Sequence, residues 1–97
     1  MDLVITFASP SDGGREHLPD LGSGLYRPHI VVAGRPSDEY LGVQFIGCSV
    51  TPEFGVEVPV TVRLPYEGVD YSPLKVGARF VIKEGGKQVG VGRVAKL

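Results

Sequence analysis

Glycine and proline interrupt this chain so often that no long helix fits between them. The 97 residues include 14 glycines and 8 prolines, spread from one end to the other. Glycine weakens a helix and proline breaks it, so these residues divide the chain into short segments. The apolar runs between them are short and rich in β-branched side chains, which is typical of strands. The sequence therefore predicts an all-β protein.

The segment from Gly55 to Leu64 shows the strand pattern most clearly. Valine occupies every second position from 56 to 62, with polar residues or proline between. This period of two predicts a strand with one buried face. Pro59 has no N–H for a ladder hydrogen bond, so we expect an edge or a bulge there. Further strands are predicted at 3–7, 27–33, 40–46 with a bulge near Gly47, 80–83 and 88–97.

About six short strands with frequent turns and no helices indicate a small barrel or sandwich. Closure into a barrel removes exposed sheet edges, which favours the barrel. A chain of this length has room for one hydrophobic core only. We therefore expect residues 1–97 to form a single domain, a small closed antiparallel six-stranded β-barrel.

Composition limits the compartments and partners that suit this chain. The formal net charge is −1, so no field over the whole molecule draws it to nucleic acid or to an anionic membrane. Cys48 is the single cysteine, which excludes an internal disulfide and suits a reducing compartment. The opening "MDLVITFASP" has the pattern of neither a signal peptide nor a membrane span. A cytoplasmic protein with no membrane partner is expected.

The last stretch, "RFVIKEGGKQVGVGRVAKL", predicts a hairpin with a tight turn at Gly85-Gly86. Gly90 and Gly92 share one phase of the second strand, as in a sharply coiled strand that completes a small barrel. Arg93 falls on the apolar phase of that strand. Either a bulge shifts the phase, or Arg93 lies at the barrel rim with its stem buried and its head in water.

This hairpin resembles the C-terminal hairpin of elongation factor Tu, in which an R-F-x-I-R-E-G-G-R-T-V-G-x-G-V-V-x-K pattern ends the third domain. The stretch "SDGGREHLPDLGSGLYRPHIVV" is similar to that domain's first long hairpin, G-G-R-H-x-P-F…G-Y-R-P-Q-F. The resemblance extends over nearly the whole chain. It implies the fold of the family's third domain, a six-stranded antiparallel barrel.

In the family this barrel contacts the T-stem backbone of aminoacyl-tRNA, the GTPase domain and the nucleotide-exchange factor. The resemblance places Arg15, Glu84 and Gly85 at positions that touch the tRNA backbone. His29 stands where the family has glutamine, and Lys87 replaces an arginine. The family's histidine after G-G-R is a glutamate here, and "AGRPSDEYLG" lacks the threonines of the corresponding family stretch.

The family's GTPase function does not carry over, because the chain has no G-x-x-x-x-G-K-[ST] loop. We expect no GTP binding and no cofactor. The cations Arg15, Lys83 and Lys87 could contact phosphate, and three such contacts would give a salt slope of only about −2 to −3.

The leading prediction is a stand-alone, non-enzymatic binding module that docks a protein partner, and the resemblance suggests a component of translation as that partner. The first alternative is weak binding of tRNA or RNA backbone through Arg15, Glu84-Gly85 and Lys87. The second is a small enzyme that uses Cys48 or His29. No catalytic residues are predicted otherwise, and no metal site, because the histidines and the cysteine lack metal-ligand spacing.

Overall fold

In the computed structural model, which describes residues 1–97, the alternating apolar runs form seven β-strands. The strands are β1 (Asp2–Phe7), β2 (His29–Val32), β3 (Leu41–Gly42), β4 (Gln44–Gly47), β5 (Val58–Arg63), β6 (Arg79–Glu84) and β7 (Lys87–Lys96). The only helix is a three-residue 3-10 turn at Pro10–Asp12. No helix has the length and apolar character that crossing a membrane requires. The prediction of an all-β fold is confirmed.

The strands form one antiparallel sheet in the order β3-β2-β6-β7-β1-β5-β4, curled into an open half-barrel. The prediction of a closed six-stranded barrel is therefore wrong. The predicted third strand divides at Val43 into β3, which pairs with β2, and β4, which pairs with β5. Two backbone hydrogen bonds outside the strand ladders join this segment to the chain before β2. Val43 N–H donates to Pro28 O (3.1 Å), and Phe45 N–H donates to Tyr26 O (3.0 Å). The two edge strands, β3 and β4, are neighbours in the chain, so one short segment supplies both edges of the sheet.

The core lies against the inner face of the sheet and is a cluster of 17 buried apolar residues, of which Leu21, Val43 and Leu74 come from the connections between strands. Within β5, Val58, Val60 and Val62 point inward, as the alternation predicts. The strand is shorter than expected, however, because Val56 lies outside it and is 46% exposed. Pro59 pairs with β1 on one side only, since β4 reaches no further than Thr61. The expectation of a local edge at Pro59 is thus confirmed.

A β-bulge explains the polarity of β7. The β6–β7 register runs from Lys83–Gln88 directly to Ile82–Gly90, so Val89 is an extra residue on β7. Val89 stays buried, and every later residue moves to the opposite phase. Arg93 consequently lies on the outer face, where it donates a hydrogen bond to Glu57 (2.8 Å). Of the two readings of Arg93 that the sequence left open, the bulge is the one found.

The same bulge turns Gly90 and Gly92 toward the core, opposite Ile82 and Phe80. A Cβ at Gly92 would lie 2.7 Å from the Phe80 ring and 2.8 Å from the carbonyl oxygen of Val4. These two glycines therefore provide the space that the large side chains of β6 occupy.

We predict that Gly92→Ala destabilises the domain by about 1–3 kcal/mol, because the added methyl overpacks the core against a backbone atom that cannot easily move. Gly86→Ala is the matched control, since no atom lies within 4 Å of a Cβ there. The control should stay within about 0.5 kcal/mol of the parent protein. Urea unfolding measures both changes, and equal effects would contradict the inward placement of Gly92.

Candidate functional site

The five residues that the resemblance assigns to partner or RNA contact lie at one end of the sheet. His29 begins β2 and is paired with Lys83 of β6. Glu84 ends β6, Gly85 begins the turn, and Lys87 begins β7. Arg15 reaches this end from the loop after the 3-10 turn and forms an ion pair with Glu84. We call Arg15, His29, Glu84, Gly85 and Lys87 the turn-end cluster.

The turn itself has the geometry that the glycine pair predicts. Gly85 adopts a φ of 61°, a left-handed conformation that costs glycine little. It is the first central position of a two-residue loop, as in a type II′ hairpin turn. The turn holds Glu84 and Lys87 as the last cross-strand pair of the hairpin.

Tyr26 links the turn-end cluster to the core. Its ring lies between Phe7 and Phe45, with centroid separations of 6.1 and 5.2 Å. Its hydroxyl donates a 2.6 Å hydrogen bond to Glu84 Oε2, the same oxygen that accepts from Arg15. The Arg15 guanidinium also stands 5.3 Å from the centroid of the Tyr26 ring. The sequence motif G-L-Y-R-P contained this tyrosine, but sequence reasoning gave it no role.

The Arg15 guanidinium is occupied by these internal contacts. Besides Glu84 and the tyrosine ring, its Nε–H donates to His17 O at 2.8 Å. A phosphate would have to compete with a carboxylate already in place. Two of the three cations counted on the sequence, Lys83 and Lys87, have no ion-pair partner in the structure.

His29 and Cys48, the residues of the enzyme alternative, contact different partners and not each other. The His29 ring lies against Tyr40, with centroids 5.6 Å apart. The Cys48 thiol donates to Val50 O at 3.1 Å, and the side chain is half-buried and packs against the core. No hydrogen bond joins the two. No group of three or more His, Cys, Asp or Glu side chains is placed to hold a metal ion.

A second candidate surface lies on the outer face of the sheet, where sequence reasoning placed nothing. Val31, Val81, Val91 and Thr6 form one cross-strand row over β2, β6, β7 and β1. They form part of the wall of a cavity of about 530 Å³ that also includes Val4. Val91 is 44% exposed and Val81 is half-buried, whereas Val31 is buried at 8% exposure. We call this surface the outer groove.

The sequence did carry a signal for the outer groove. The runs 30–32 and 80–82 are apolar at three consecutive positions, so both phases of β2 and β6 are apolar. Continuous apolar runs are typical of strands that are covered on both faces. Here the inner face is covered by the core, whereas the outer groove is covered at Val31 and open at Val91.

Arginines border the outer groove. Arg79 and Arg93 are directly opposite each other across β6 and β7. Arg93 is paired with Glu57, and Arg35 is paired with Glu39 through two hydrogen bonds of 3.0 and 2.8 Å. Arg79 has no ion-pair partner. The groove thus combines an apolar floor with one uncompensated guanidinium.

Comparison with known proteins adds no relative to this picture. No protein-family model matches the sequence, and no curated protein matches it. The similarity to elongation factor Tu remains a prediction that rests on the motifs quoted above.

We predict that the Tyr26–Glu84 contact makes stability fall at alkaline pH. Burial, with help from the hydrogen bond to Glu84 and its negative charge, raises the pKa of Tyr26 strongly above its ordinary value near 10. Because the pKa of Tyr26 is higher in the folded than in the unfolded state, its contribution to the free energy of unfolding is complete below about pH 10 and is lost as the pH rises further. The free energy of unfolding should therefore drop above pH 10.

The measurement is urea unfolding of the parent and of Tyr26→Phe at intervals from about pH 8 to pH 11. Tyr26→Phe removes the titrating hydroxyl, so its alkaline decline should be shallower. Tyr40→Phe is the control, because Tyr40 lies at the surface and has no carboxylate partner. It should decline as steeply as the parent, and an unchanged slope for Tyr26→Phe would refute the assignment.

Proposed function

We propose that this chain is a non-enzymatic binding module, similar to the third domain of elongation factor Tu, that docks a protein partner through its outer groove. The observation that carries the proposal is the apolar row of Val31, Val81 and Val91 along the outer groove, in which Val81 is half-buried and Val91 is exposed. A component of translation in the cytoplasm is the partner that the resemblance suggests.

The chemistry of the outer groove favours a protein over a nucleic acid. Its floor is aliphatic, and Phe80, the one aromatic residue of its lining, is buried and does not offer a ring for base stacking. Of the three arginines in its lining, Arg35 and Arg93 are already ion-paired, which leaves Arg79 for a phosphate. Clustered exposed apolar side chains rimmed by polar ones are typical of protein interaction sites. The volume of about 530 Å³ takes a few side chains of a partner, so a stable interface would extend onto the surrounding rim.

The second candidate function is weak binding of tRNA or RNA backbone at the turn-end cluster. Its support is that Arg15, Glu84, Gly85, Lys87 and His29 converge on one end of the sheet. Against it, Arg15 is already paired with Glu84, which leaves Lys83 and Lys87 as free cations. Two phosphate contacts give a salt slope of only about −2, so binding would be weak at physiological salt.

We predict that Val91→Glu abolishes capture of the partner from a cell extract by the tagged protein, because it places a charge on the apolar floor of the outer groove. Lys87→Glu is the matched control: it adds a glutamate to an exposed position of the same strand, but at the turn-end cluster. The control should retain the partner. Loss of the partner with Lys87→Glu and its retention with Val91→Glu would favour binding at the turn-end cluster instead.

We predict further that bulk tRNA at about 150 mM salt produces no specific nuclear magnetic resonance shifts at the turn-end cluster. At that ionic strength the Debye length is about 8 Å, so only close contacts persist. At low salt, weak shifts should appear at Lys83 and Lys87, and Lys87→Ala should reduce them. Saturable shifts at Arg15, His29, Glu84, Gly85 and Lys87 at 150 mM salt would make RNA binding the better reading.

A further inference from the structure

The outer groove has an excess of positive charge at one end. Arg79 and Arg93 form a directly opposed cross-strand pair, and like charges in that position repel. Glu57 compensates Arg93 with a 2.8 Å ion pair. Arg79 is exposed and has no such partner, so the chain itself leaves one guanidinium of the pair unneutralised.

A second cavity extends this positive end. It has a volume of about 410 Å³ and shares Val32, Ala33, Arg35 and Arg79 with the outer groove. Lys75 and Ser72 complete its polar wall, and no carboxylate lines it. Since Arg35 is held by Glu39, Lys75 and Arg79 are the cations of this cavity that have no ion-pair partner. The aliphatic floor therefore leads directly to two free positive charges.

We propose that the outer groove binds an acidic, aliphatic segment of a partner protein, whose apolar side chain rests on Val81 and Val91 and whose carboxylates meet Arg79 and Lys75. This inference rests on the proposed docking function and specifies the chemistry of the partner. An arginine beside an apolar surface favours a carboxylate, because the planar guanidinium can donate two parallel hydrogen bonds to it.

Charge and shape together select this occupant. A basic segment would meet Arg79 and Lys75 with like charge, which costs affinity. An RNA backbone would gain only two phosphate contacts and would cover the valine floor with polar groups. An acidic segment with alternating apolar residues satisfies both the floor and the positive end.

The probes are three terminally blocked pentapeptides: one alternating glutamate and valine, one alternating lysine and valine, and one alternating glutamate and serine. Each is titrated into the isotope-labelled full chain up to millimolar concentration, with amide shifts followed by nuclear magnetic resonance. The glutamate–valine peptide should change the amide shifts of Val31, Val81, Val91 and Arg79. It should bind about tenfold more tightly than either of the other two peptides, which corresponds to a difference in binding free energy of about 1.4 kcal/mol.

Charge reversal tests the role of the arginine. Arg79→Glu should weaken the glutamate–valine peptide roughly tenfold and strengthen the lysine–valine peptide, since the end of the groove becomes negative. Arg63→Glu, an exposed arginine of β5 outside the groove, is the matched control and should leave all three affinities unchanged. A dispersed amide spectrum for each variant shows that it is folded.

The outcomes separate this inference from the docking function. Equal binding of the acidic and basic valine peptides, or no effect of Arg79→Glu, overturns the acidic preference. If no peptide changes the amide shifts of the groove residues while Val91→Glu still abolishes capture of a partner, the acidic-segment proposal is overturned and the docking function stands. If capture is also independent of Val91, both fail.

Discussion

The curvature of the sheet depends on the contact between Phe80 and Gly92. The aromatic ring occupies the space that a side chain at position 92 would need, and Ile82 approaches Gly90 in the same way. Two large residues on β6 thus face two glycines on β7, which lets these strands coil tightly about the core. The remaining inner-face residues, among them Ile5 and Phe7 of β1, close over this central pair of strands.

The bulge at Val89 sets which residues reach the outer face. Without the extra residue, Val91 and Arg93 would point into the core and the glycines would point out. With it, Val91 joins Val31 and Val81 in the outer groove, and Arg93 comes to stand opposite Arg79. One inserted residue therefore creates both the packing of the inner face and the apolar and cationic character of the outer one. Bulges are often found where a sheet must redirect a side chain for function.

Local features of the fold could be read from the sequence because they depend on local physics. The alternation in β5, the local edge at Pro59 and the glycine turn at Gly85 all follow from side-chain phase, a missing N–H or a permitted φ. The split of the third strand at Val43 could not be read, because it depends on which strands lie on either side of that segment. Phase reasoning also left the position of Arg93 open, since a bulge changes the phase without leaving a distinct residue pattern.

The candidate sites show the same division between local and long-range information. The motifs placed Arg15 and Glu84 in one functional group, and the structure does bring them together. In the structure Arg15 and Glu84 neutralise each other, and the Tyr26 hydroxyl donates to the same glutamate oxygen. Because Arg15 and Glu84 are 69 residues apart in the sequence, no local pattern encodes this contact. The outer groove was missed although runs 30–32 and 80–82 are apolar on both phases. Each run by itself predicts only a strand, and the alignment of the two runs across the sheet is a property of the register.

The pairing of β1 with β7 has a consequence for how the domain folds. These two strands are separated by almost the whole chain, yet they are adjacent at the middle of the sheet. The β6–β7 hairpin needs only a two-residue loop and can form within about 1–10 μs. Formation of the β1–β7 ladder closes a loop of nearly the entire sequence, and the chain loses conformational entropy in that closure before the stabilising contacts form. Non-local pairing of this kind should make folding slow, on the order of milliseconds to seconds, as for other proteins dominated by such pairs. The edge of β7 that faces away from β6 is completed only when β1 pairs with it.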